Sequence, residues 1–224
     1  MPYKEESRVA AIIPAFNEEK TVAQVIEAVK SCSLISEIIV VNDGSDDKTG
    51  AIAQAMGVRV IRQPKNLGKG QAMQTGSTET TASILIFIDA DLIGLKAYHL
   101  DRMINAIKEG NADMSIGAID RRRRLGFIFM HFFNHTYSPL AGTRAIKRDF
   151  WEKVPSEYKK KFQVESAISY LAKKQFWRVK IILLDQVTHL VKEKKQGLAL
   201  GFIRRIKMFS QILWINIFIR FFDV

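Results

Sequence analysis

Asp89 and Asp91 stand one residue apart where an apolar run ends, in ILIFIDADLI at residues 84–93. Two carboxylates at the end of a buried strand can share one hard divalent cation, which in turn binds substrate phosphates. The same pair suits a turn or a helix N-cap, so D-x-D alone does not choose between these roles. Three other stretches offer polar chemistry just past an apolar segment. Asn17 and Glu18 in PAFNEE suit ribose hydroxyls or the start of a helix. Asp43 in NDGSDD suits the N–H of a nucleobase or a turn. Lys69 in QPKNLGKG is a point charge for phosphate beside glycines that permit close backbone approach, although the spacing is not that of a Walker loop.

These loops need elements to position them. Short strand-like runs are expected at residues 9–13, ended by Pro14, and at 36–42, 58–62 and 84–88. Helical spacing follows at 18–30, 46–56 and 71–77. Continuously apolar strands alternating with helices indicate an α/β fold with a parallel sheet buried on both faces. Ligands of such sheets bind at the carboxyl ends of the strands, where the four polar loops lie. Beyond residue 95 the pattern is less regular, with helices expected at 100–108 and 165–173 and strands at 112–119 and 178–184.

The 224 residues suffice for one sizeable core, and a hydrophobic fraction of 47% excludes general disorder. The net charge of +11 favours anionic partners such as phosphates, nucleic acid or an acidic membrane face. Nucleic acid is disfavoured because the aromatics cluster with aliphatics and no recognition module is present. The single cysteine, Cys32, excludes an internal disulfide and suits a reducing, cytoplasmic setting; no base stands near it in sequence. The N-terminus shows no signal-peptide pattern.

Taken in order, IIPAFNEEKTV, VVNDGSDDKTG, NLGKGQAM and IFIDADL closely resemble the N-terminal half of family-2 glycosyltransferases of the GT-A fold. The resemblance implies a nucleoside-diphosphate sugar donor, UDP- or GDP-linked, and a divalent cation, Mn2+ or Mg2+. It also implies that Pro14, Ala15, Asn17 and Glu18 line the nucleoside pocket and that Asp43 reads the base. Lys69 would lie beside the nucleotide, Asp89 with Ala90 near the ribose, and Asp91 on the metal.

In the second half, SPLAGTRAIKRDFW resembles the acceptor-side segment of the same family. Leu140, Ala141 and Gly142 either let backbone amides approach the diphosphate or form a tight turn. Arg144 either offsets phosphate charge or is solvated. Glu165 follows valine where many inverting members carry a Glu-Asp pair. PLAG, Val-Glu and a later histidine are closer to the retaining subgroup that makes glucosyl- or mannosyl-glycerate precursors. There His189 would complete the metal site and Lys192 would face the same phosphates.

The basic, aromatic run after Arg121 and the tail at 198–224 place cations beside bulky apolar residues. Too few uncharged residues run together in the tail to cross a hydrocarbon core of about 30 Å. An amphipathic C-terminal helix at the membrane interface, or in a homodimer contact, is expected beyond a GT-A domain spanning 1–197. The acceptor would then be a polyprenyl phosphate at the inner face of the cell membrane, or a small phosphorylated acid such as 3-phosphoglycerate. Two other readings stay open: a membrane-bound scaffold with little turnover, and a nucleotidyltransferase, whose glycine-rich loop PAFNEE does not match.

Overall fold

In the computed structural model, residues 7–119, 142–159 and 164–190 are described. The arginine run at 121–124, Leu140, Ala141, Lys192 and the tail at 198–224 lie outside them, as does the expected domain boundary at 197.

Strand β1, Val9–Ala15, is an interior strand of the sheet. It pairs in parallel with β2, Glu37–Asn42, on one side and β4, Ile84–Phe87, on the other, while β3, Arg59–Arg62, extends the sheet beyond β2. Pro14 lies within β1 rather than ending it. Ile12 accepts from the Ile88 amide, and Ala15 from the Asp43 amide, so alternate residues face β4 and β2. Pro14 therefore faces the β4 side, where the ladder has already ended at Ile12 opposite Phe87, so its missing N–H breaks no ladder pairing.

The other half of the sheet consists of β6, Met114–Ile119, β7, Arg144–Lys147, and β8, Val179–Leu184. The order is β3-β2-β1-β4-β7-β6-β8, with β7 antiparallel to both of its neighbours. A separate two-stranded ladder joins β5, Leu92–Ile93, to β9, Thr188–His189.

Alternation along β1 explains why its sequence is apolar at every position. Val9, Ala11, Ile13 and Ala15 enter one core with α1, Val22–Lys30, and α4, Ala97–Lys108. Ala10 and Ile12 enter the other with α3, Lys69–Thr78, α5, Arg148–Glu152, and α6, Val164–Lys174. Helix α2, Thr49–Ala55, adds Ala53 to the first core. The fold is thus a sheet between two helical layers, as alternating strands and helices require. Trp151 locks the second layer, with its indole N–H donating to Ser77 Oγ at 2.9 Å and its ring 4.6 Å from that of Phe87. Among the described residues no helix is long and apolar enough to cross a membrane.

Candidate active site

The loops after β1, β2 and β4 open at one end of the sheet. Because β7 runs backwards, its first residue, Arg144, pairs with Phe87 at that same end. The topology therefore brings Gly142 and Arg144 to the strand ends where Asp43, Asp89 and Asp91 already stand.

The loops are wired to one another in series. Asn17, at a φ of 56°, accepts from the Asp46 amide at 3.0 Å and donates its own amide to Ser45 Oγ at 3.0 Å. Glu18 donates its amide to Thr49 Oγ1 at 2.8 Å, and its side chain is buried. Asp43 accepts from the amides of Leu67 and Gly68 at 2.7 and 2.9 Å, joining the second loop to the third. Burial pushes the Asp43 carboxyl above its ordinary value, against the pull of those two amides. Lys69, the first residue of α3, then bonds Asp89 and Glu165 together.

Around Lys69 charges alternate. Burial acts to lower its pKa, but Asp89 and Glu165 outweigh that effect and raise it. Arg144 is wholly buried and donates to Ser169 Oγ at 2.9 Å. Its desolvation is countered by the charges of Glu165 and Asp89. Gly142 closes the cluster: a Cβ there would collide with the Asp89 carboxylate and the Lys69 ammonium. Any larger residue would force those two side-chain ends to move apart from their present positions.

Beside this cluster, Asp91 meets His189, whose Nδ1 lies 3.1 Å from Asp91 Oδ1. Ladder register sets this meeting, with Leu92 opposite His189. Asp89, Asp91 and His189 can each turn one ligand atom into a space where all three lie within 4.8 Å of one another. Two carboxylates and an imidazole fit manganese well and magnesium adequately. Asp91 and His189 are each about a third exposed at the side chain, leaving the group open to an incoming ligand.

Of the candidate residues, Lys69, Asp89, Gly142, Arg144 and Glu165 meet in one cluster, and Asp91 and His189 beside it. Asn17, Glu18 and Asp43 line the neighbouring loops. The side chains of Ala15 and Ala90 belong to the core, so only their backbones are available to a ligand. Ser45, Thr49 and Ser169 were not singled out from the sequence, yet they hold Asn17, Glu18 and Arg144 in place. Cys32 is buried, and burial together with Asp101 pushes its thiol up to about 12, which excludes a thiolate at neutral pH.

The chain is similar to several known proteins. Glucosyl-3-phosphoglycerate synthase of Mycolicibacterium smegmatis is 37% identical over 94 residues, covering 38% of this chain and 31% of that protein. A dolichyl-phosphate beta-glucosyltransferase of Trichomonas vaginalis is 34% identical over 94 residues, covering 36% of this chain and 28% of that protein. The chain thus spans only about a third of the length of these curated relatives. The crystal structure of Mycobacterium tuberculosis glucosyl-3-phosphoglycerate synthase with Mn2+, UDP-glucose and phosphoglyceric acid superposes with a TM-score of 0.71. At 22% identity, over 86% of this chain and 74% of that one, this likeness establishes the GT-A fold. The model for glycosyl transferase family 2 matches residues 10–163, more than half of the chain, and the chain belongs to that family.

Proposed function

We propose that this protein is a metal-dependent glycosyltransferase that moves a sugar from a nucleoside-diphosphate sugar to a phosphorylated acceptor. The observation that carries this reading is the convergence of Asp89, Asp91 and His189 at the mouth of the sheet, beside the Lys69–Glu165 pair. A divalent cation held there would neutralise the charge that develops on the departing diphosphate. Asp91 and His189 hold the cation, and Asp89, tied to Lys69, supports it from the ribose side.

At the nucleoside end, Asn17 and Glu18 face the ribose. Asp43 spends two of its lone-pair sites on the Leu67 and Gly68 amides and keeps others for a base N–H, whether the donor carries UDP or GDP. Arg144 and Lys69 hold positive charge under the site, and Glu165 presents the acceptor-side carboxylate. The backbone at Gly142 offers a further approach to the diphosphate in this reading.

Two acceptors are supported by different observations. The Val164–Glu165 pair and the later His189, with phosphoglycerate synthases among the relatives, support a small phosphorylated acid such as 3-phosphoglycerate. The match to a dolichyl-phosphate glucosyltransferase supports a polyprenyl phosphate, met at the cytoplasmic face of a membrane through the basic, apolar tail.

The test is a panel of labelled UDP- and GDP-sugars with Mn2+, offered with 3-phosphoglycerate or a short polyprenyl phosphate. Release of nucleoside diphosphate with a labelled product is expected, and Asp91→Ala should reduce it about 10³-fold. Tight donor binding without turnover, under either acceptor, would instead favour the scaffold reading.

A further inference from the structure

His189 reaches Asp91 from a strand of two residues, paired with another of two. A ladder this short does not hold its own geometry. One side of it is fixed by Gln24, whose Nε2 donates to the Leu92 carbonyl at 3.2 Å. The His189 side is approached through the turn at Asp185 and Gln186, which packs on the start of α4.

We propose that Asp185 is a positioning residue that, through Tyr98, His99 and Arg102, sets where β9 presents His189 to the cation; this rests on the reading of Asp91 and His189 as metal ligands. Tyr98 donates its hydroxyl to Asp185 Oδ2 at 2.8 Å. His99 Nε2 lies 3.4 Å from Asp185 Oδ1, and Arg102 Nη1 lies 4.0 Å from the same oxygen. Arg102 also donates to the Leu183 carbonyl at 3.3 Å, so one guanidinium touches both the end of β8 and the turn that follows it.

The His99 tautomer is dictated by its surroundings. The Lys96 amide donates to His99 Nδ1 at 3.1 Å, which makes Nδ1 an acceptor and leaves the ring proton on Nε2, which lies near Asp185 Oδ1 without forming a hydrogen bond to it. The ring is fully buried in the core under α4, so it cannot follow the turn if the turn moves. Backbone packing adds a second constraint. At Gly94, φ 82°, the space a Cβ would need is filled by the Gln186 carbonyl, and Gln186 itself has a φ of 59°. Val187 then enters the core. Asp185 is therefore anchored four residues before His189, with a turn and one buried residue between them.

Because the Asp185 side chain is 48% exposed, its loss should cost the whole fold little while loosening a strand too short to hold itself. Metal affinity and global stability therefore separate. Mn2+ titration of the full chain by electron paramagnetic resonance, without donor or acceptor, reads the first, and thermal unfolding reads the second. Asp185→Ala should weaken Mn2+ binding about tenfold, with Tm moved by no more than about 3 °C. Asp185→Asn, which still accepts from Tyr98, should recover most of the affinity. Tyr98→Phe, which removes one half-exposed hydroxyl, should weaken binding several-fold, and it decides the matter if Asp185→Ala does not fold. His189→Ala is the control on the metal site. If it binds Mn2+ as tightly as the unaltered protein, the ligand assignment fails. If it loses Mn2+ while Asp185→Ala, or Tyr98→Phe in its place, stays within about twofold of the unaltered protein, the positioning role is overturned and the metal site stands.

Discussion

The two halves of the molecule build the same site by opposite means. From β1 to β4, each polar loop follows its own parallel strand, and neighbouring loops bond directly to one another, from Asn17 with Asp46 to Asp43 with Gly68. From β6 onward, Arg144, Glu165 and His189 come singly from a reversed strand, a helix and a two-residue ladder. Each depends on a distant partner: Arg144 on Ser169, Glu165 on Lys69, and His189 on its ladder beside Asp91. A site assembled from consecutive strand ends is rigid by construction, whereas one assembled from single residues is only as rigid as its long-range contacts.

The largest effect is expected where the halves join. Lys69→Met removes the cation between Asp89 and Glu165 and leaves two poorly solvated carboxylates facing each other. It should cost about 3–5 kcal/mol, read by urea unfolding. A loss below about 1 kcal/mol would show that Lys69 is not the link between the halves.

A smaller effect is expected inside the second half. Asp113 ties β6 to β7 and β8, accepting from Lys147 Nζ at 2.8 Å and from Arg178 Nη2 at 2.9 Å and its amide at 3.0 Å. The Arg178 side chain, ahead of Lys147, holds the Asp113 carboxyl well below its ordinary value of 3.8, against the opposing effect of burial. Its folded pKa being depressed, its contribution is present above 3.8 and is lost as pH falls toward the lower folded value. Asp113→Asn should therefore cost about 2 kcal/mol at pH 7 and flatten the acid side of the stability profile below pH 4. Parallel acid profiles for the two proteins would show that the strap is not electrostatic.

The smallest effect belongs to the first half. Asn17→Ala removes one bond, to the Asp46 amide, from a loop that keeps its others, and leaves an alanine at positive φ. About 1 kcal/mol is expected. A cost above that of Asp113→Asn would reverse the contrast between the halves.

How much of this was legible in sequence follows the same division. The strands at β1, β2 and β4 announce themselves because both faces are buried, and their loops are read by adjacency alone. Pro14 misled by one strand end, since local chemistry treats proline as a stop and only the limits of the β4 ladder make it harmless. Strand β7 leaves no mark of its own in the sequence, because RAIK shows neither period in four residues. Helix α5 and the β5–β9 ladder are too short to leave any periodicity.

The order and types of Asn17, Asp43, Lys69, Asp89 and Asp91 determined, with no structure, that an α/β sheet would carry a polar site at its strand ends. Local chain geometry is enough for that, because a parallel strand delivers its following loop to one known end. The tertiary structure decided the rest. It reversed β7 so that Gly142 and Arg144 reach the same end, set Lys69 between Asp89 and Glu165, and set His189 against Asp91 through a ladder of two residues. Those meetings join residues as many as 98 positions apart, and no local pattern encodes them, because they depend on how separate elements pack and not on what any one element prefers.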